Sequence, residues 1–157
     1  MPEMQDRLDE TAEWFRYADR DLMAAELPLA GESPHVYNGL FNCQQAVEKW
    51  LKALLIWHGV AFPKIHDLKK IGRLCIQAEP ELAGVIESVS DLTDFATVYR
   101  YPGAEATVDA SDAVDLLELT RGANGSACQD AACAARGAAL TENCRTLKFE
   151  HSGFEES

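Results

Sequence analysis

Three things are missing from this chain of 157 residues. It has no run of about 18 apolar residues, which a helix needs to cross a bilayer. It has no basic start followed by an apolar stretch and a small-residue cleavage site, so no secretory signal is visible and a cytoplasmic protein is expected. It is also poor in positive charge, with 14 Lys and Arg against 26 Asp and Glu and a net charge of −12. A field of that sign repels phosphate backbones unless the basic groups cluster, which argues against unassisted, non-specific nucleic-acid binding. The five cysteines, an odd number without a secretion signal, read as reduced thiols rather than as a disulfide framework. There is no glycine-rich phosphate loop, no nucleophile elbow and no pair of carboxylates on a recognisable scaffold. What is present is 47% hydrophobic and 25% charged residues, enough for one globular domain with its own core and hardly for two.

The chain changes character near Arg121. Residues 1–121 hold 11 basic and 21 acidic residues, whereas the last 36 hold 3 and 5 and three of the five cysteines. From Gly122 to Ala139 no large apolar side chain occurs, so a helix there has little with which to bury a face. A helical domain over 1–121 is therefore expected, followed by an atypical, poorly ordered Ala/Gly/Cys-rich tail over 122–157. Cys128, Cys133, Cys144 and His151 are chemically suited to zinc. Their spacing matches no assignable knuckle, so free thiols are the reading and no metal or cofactor is expected.

Within residues 1–121 the apolar period is helical and the class is all-α. A first helix is predicted from about Thr11 to Leu27, with Trp14, Tyr17, Ala18, Leu22 and Ala25 as its apolar stripe and Pro28 and Gly31 ending it. A second starts after Ser33 as N-cap, with Pro34 in first position, and runs to His58 with Gly59 as the stop. Its stripe of Cys43, Val47, Trp50, Leu54 and Trp57 is widened by Leu40, Leu51 and Leu55, so this helix is the bundle centre or a dimer seam. Asp67 caps a third helix, Leu68 to Ala78, and Pro80 opens a fourth to about Val89. A shorter segment starts at Asp91 or Thr93 and stops at Tyr99-Arg100-Tyr101-Pro102-Gly103. Ser111 caps a last helix from Asp112 to about Thr120. Short loops favour antiparallel packing of these helices.

Three stretches can carry chemistry. From Gln44 to Leu55, helical geometry puts Gln45, Lys49 and Lys52 on one side and lets Glu48 pair with Lys52 at i+4; an ordinary solvated strip fits this pattern. In Phe62-Pro63-Lys64-Ile65-His66-Asp67-Leu68 a His-Asp pair sits at a helix start near a lysine, where an anion can be held, although capping alone explains Asp67. In Tyr99-Arg100-Tyr101-Pro102-Gly103 an arginine fork is flanked by aromatics at a forced bend; a structural turn fits it equally well.

In this order and separation, these stretches resemble the HEPN domain (higher eukaryotes and prokaryotes nucleotide-binding). The resemblance rests on Trp14, Ala18, Asp21, Leu22 and Ala25, on Phe41 to Leu55, on Pro63 with His66-Asp67-Leu68, and on Arg100-Tyr101-Pro102, and it covers about Glu10 to Thr120. It implies an up-and-down bundle of four to five helices, usually a homodimer, often encoded beside a minimal nucleotidyltransferase as a toxin–antitoxin-like pair. Lys49, Lys52, Lys64, His66, Arg100 and Tyr101 are then the candidate nucleotide- or RNA-binding residues. Many HEPN proteins that cut RNA without metal carry an Arg, four to six residues and a His. Here the one formal match is Arg145 to His151, in the atypical tail, with Thr146 where a polar Asn, Asp or His is usual. A binding protein acting with a nucleotidyltransferase is therefore the first reading, with a metal-independent ribonuclease toxin and a non-catalytic helical dimerisation adaptor as its alternatives.

Overall fold

A computed structural model describes residues 2–30, 35–92 and 110–126. Among them are five α-helices and no strand: α1 Pro2–Leu29, α2 Val36–Trp57, α3 Leu68–Ala78, α4 Ala83–Ser90 after a 3₁₀ turn at Pro80–Leu82, and α5 Ala110–Ser126. The class is all-α and the architecture a helical bundle, as the periodicity requires.

The α1 and α2 helices form an antiparallel pair whose register can be followed contact by contact. His35 N donates to Pro28 O at 2.7 Å, Asn42 Nδ2 donates to Ala24 O at 3.3 Å, Lys49 pairs with Asp21, and Lys52 lies over the ring of Trp14. Pro28, expected to end α1, stands instead in its last turn. A proline there leaves the carbonyl of Ala24 without its helical N–H, and the Asn42 amide occupies that acceptor. The close fit of this corner depends on Gly39, because a β-carbon at that position would stand 2.5 Å from Leu29 Cγ. At the other end of the pair Gly59 takes φ +68°, the left-handed conformation that closes a helix C-terminus and turns the chain towards α3.

The core is centred on α2, which packs on α1, α3 and α5. Leu40, Cys43, Val47, Trp50, Leu51, Leu54 and Leu55 are buried there, against Phe15 and Ala18 of α1, Ile71 and Cys75 of α3, Ile86 and Val89 of α4, and Leu117 of α5. The α1 stripe holds at Trp14, Ala18, Leu22 and Ala25, which are buried or pack against the core; Tyr17 departs from it, 44% exposed, and Phe15 is buried instead. Ser111 does not cap α5, which already begins at Ala110. The same helix continues past Thr120 to Ser126, because Arg121 pairs with Glu26 of α1 and with Glu118, and Ala123, small as it is, is buried. Ser33, Pro34, the stretch from Thr93 to Asp109 with Arg100 and Tyr101, and the tail cysteines with Arg145 and His151 lie outside the described residues.

Candidate functional site

The polar strip of α2 is not a solvated face. Gln44, Glu48 and Lys52 recur every four residues, so they stack along one side of the helix. All three are buried: the loop between α2 and α3 returns to Gln44 and Glu48 through His66, and Trp14 of α1 lies against Lys52. That loop is anchored by Val60, Phe62 and Ile65, which pack against the core. Its end is fixed by Asp67, whose carboxylate accepts from Lys70 N at 3.0 Å as the N-cap of α3, as the sequence predicts. His66 is thus pinned between an apolar anchor and a helix cap.

Glu48 is the hub. Its carboxylate accepts from Lys52 Nζ at 2.7 Å and from Gln44 Nε2 at 3.1 Å, and His66 Nδ1 lies 2.9 Å and 3.1 Å from its two oxygens. Gln44 also reaches the backbone oxygen of His66 at 3.4 Å, so the loop is held by its main chain as well as by its ring. Burial pushes the Glu48 carboxyl up, but the hydrogen bonds from Lys52 and His66, together with their charges, outweigh it and hold the carboxyl below its ordinary value. Glu48 is therefore ionised at neutral pH and can only accept, which places the proton of the imidazole contact on Nδ1.

The other side of the histidine is open. The His66 side chain is 78% exposed although its partner carboxylate is 5% exposed. With Nδ1 tied down, Nε2 is the free nitrogen: a lone pair when the ring is neutral, a donor when it is charged. Lys52 occupies the inner side of Glu48, with its ammonium 5.5 Å from the centroid of the Trp14 ring.

The other expected ligand groups separate into three kinds. Lys49 and Lys52 have their charges engaged by Asp21 and Glu48. Lys64 is exposed two residues before His66. Arg100 and Tyr101, and the weak catalytic candidates Arg145 and His151, fall outside the described residues. No group of three His, Cys, Asp or Glu able to hold a metal occurs among the described residues. The sequence reading takes Glu48 only as a helix partner of Lys52 and Trp14 as part of an apolar stripe, and gives Gln44 no role of its own. The i, i+4, i+8 spacing of Gln44, Glu48 and Lys52 was the available signal that these three act as one ladder.

The sequence matches the family model of the HEPN domain over residues 11–123. The chain belongs to the HEPN family. No curated protein and no solved structure matches it. The HEPN match takes in α1 from Thr11, all of α2, α3 and α4, and α5 to Ala123, so the Glu48–His66 cluster lies inside it. HEPN domains have nucleotide- and RNA-related functions, and often dimerise and bind RNA. No helix among the described residues is long and apolar enough to cross a membrane.

Proposed function

We propose that this HEPN protein is a nucleotide- or RNA-binding component of a two-component, toxin–antitoxin-like system, acting as a homodimer with a minimal nucleotidyltransferase partner. The observation that carries the ligand reading is the imidazole of His66, fixed by a buried carboxylate on one nitrogen and turned to solvent with the other. A histidine tethered in this way meets a phosphate with one defined atom and loses little rotamer freedom on binding. Lys64 on the same loop and Arg100 with Tyr101 are the further ligand groups of this reading. Lys49 and Lys52 serve it by placing and neutralising Asp21 and Glu48.

The test is titration of the purified full chain with ATP, GTP and a short RNA, followed by calorimetry. His66→Ala and Arg100→Ala are each expected to lower affinity several-fold, the first with a lower melting temperature as the buried Glu48 carboxylate loses one of its partners, and wild-type affinity in both removes these residues from the site. Co-purification with a minimal nucleotidyltransferase, sought in the genes neighbouring this one, tests the partner. Absence of any complex at micromolar concentrations refutes the pairing.

A further inference from the structure

We infer that the outer face of α1 formed by Arg16, Tyr17 and Arg20 is a stacking and phosphate-contacting surface for single-stranded RNA. The inference rests on the ligand reading above and extends its site to residues that reading does not use.

Position comes first. Trp14 meets Lys52 and Asp21 meets Lys49, so the segment of α1 between them runs alongside the part of α2 that carries the Glu48 cluster. Tyr17 lies on the same side of α1, at i+3 from Trp14. It is 44% exposed, with the Arg20 guanidinium 5.5 Å from its ring centroid. An aromatic ring that gives nothing to the core and is partly covered by a guanidinium is the arrangement on which a base stacks.

Charge comes second. Lys49, Lys52, Lys69, Lys70 and Arg121 each pair with a carboxylate. Arg16 and Arg20, like Arg7, Lys64 and Arg73, form no ion pair among the described residues, but these two arginines stand together beside an exposed aromatic ring. The two stand one helical turn apart, about 6 Å along the axis, so they can follow successive phosphates of an extended strand. They line a shallow hollow with Glu13 and Tyr17 of about 50 Å³, too small to enclose a nucleotide, so the ligand lies across the surface. A single strand suits this face better than a duplex, because only unstacked bases present their faces to a side chain. An acidic peptide would use the arginines and leave the Tyr17 ring idle.

The test is fluorescence anisotropy of a labelled twelve-residue oligoadenylate RNA against the full chain at low salt. Tyr17→Ala is expected to weaken binding by roughly five- to a hundredfold while Tyr17→Phe keeps it. The Arg16→Ala/Arg20→Ala pair is expected to lower the slope of log affinity against log salt by about 1.4, two phosphate contacts on a single strand. Glu13→Gln, which removes the carboxylate of the hollow, should tighten binding. All four positions are at the surface, and thermal melts of each variant check that the fold is kept. If the α1 variants bind like the wild type while His66→Ala does not, this face is excluded and the ligand reading stands. If the wild-type chain binds neither RNA nor nucleotide, both fall. If Tyr17→Ala is harmless, or polyglutamate displaces the RNA as well as unlabelled RNA does, the face is a general anion patch and the inference is overturned.

Discussion

Removing the ammonium of Lys52 tests whether the ladder on α2 is a closed electrostatic unit. Lys52→Met keeps the length and the apolar stem of the side chain and deletes the charge. In the folded protein the Glu48 carboxylate then remains at 5% exposure, with Gln44 and His66 as its remaining partners. Breaking a buried ion pair from one side costs about 3–5 kcal/mol, because the charge left behind has lost its counter-charge but not its desolvation. The two surviving hydrogen bonds put this case at the lower end, about 3 kcal/mol. With a urea dependence near 2 kcal/mol per M for a domain of this size, the unfolding midpoint should fall by about 1.5 M. Circular dichroism at 222 nm reads this directly. Glu48→Gln/Lys52→Met removes both charges and should cost less than Lys52→Met alone, the coupling expected of contacting charges. A midpoint shift below about 0.5 M, or a double variant as damaged as the two single variants added together, refutes the closed unit.

Three further outcomes follow from the same contacts. The Glu48 carboxyl is held below its ordinary 4.5, so its stabilisation is present above that pH and is lost as the pH falls through the folded value; acid unfolding followed by tryptophan fluorescence should be shallower below pH 4.5 in Glu48→Gln, and coincident slopes would disprove the link. Gly39→Ala drives a β-carbon to 2.5 Å from Leu29 Cγ and should cost about 1–3 kcal/mol, seen as a lower melting temperature, whereas an unchanged one would show that Leu29 can move aside. Burial pushes the Cys43 thiol up to about 11, against hydrogen bonding from Thr120, and the Cys75 thiol up to about 12, so both should resist maleimide at pH 8 until urea unfolds the domain; peptide mapping that finds either one labelled in the native protein would contradict the packing.

What could be read from the sequence followed the reach of the interactions involved. The third helix was legible to the residue because its start is set by a local bond, Asp67 to Lys70 N, and its packing by Leu68, Ile71 and Cys75 at helical spacing. The apolar face of α2 was legible for the same reason. In the first helix Trp14, Ala18, Leu22 and Ala25 follow the expected stripe, whereas Tyr17 does not, since Tyr17 and Phe15 are both acceptable on it and only the position of α2 decides which is buried. The polar strip of α2 looked solvated because periodicity identifies the polar face but not what later chain is laid over it. His66 is 18 residues from Glu48, and the loop that brings them together is placed by Val60, Phe62 and Ile65. The end of α5 was missed because a single alanine, Ala123, and an inter-helix pair, Arg121 with Glu26, carry it.

Stability alone does not explain the Glu48–Lys52 pair, and one variant separates its two roles. Replacing both members of a buried ion pair by apolar residues of similar volume is often neutral or stabilising by about 1–4 kcal/mol. Glu48→Leu/Lys52→Met should therefore melt at or above the wild-type temperature, with Trp14 packing on the methionine in place of the ammonium. The same change removes the acceptor of His66 Nδ1 and leaves the loop held to Gln44 by one long contact to its backbone oxygen. The imidazole then recovers its rotamers and its alternative tautomer, and nucleotide or RNA affinity should fall as in His66→Ala. A stable variant with reduced affinity means that α2 keeps its buried charges in order to aim one histidine. A stable variant with full affinity means that neither the fold nor the ligand site depends on the charged pair and that His66 needs no carboxylate behind it.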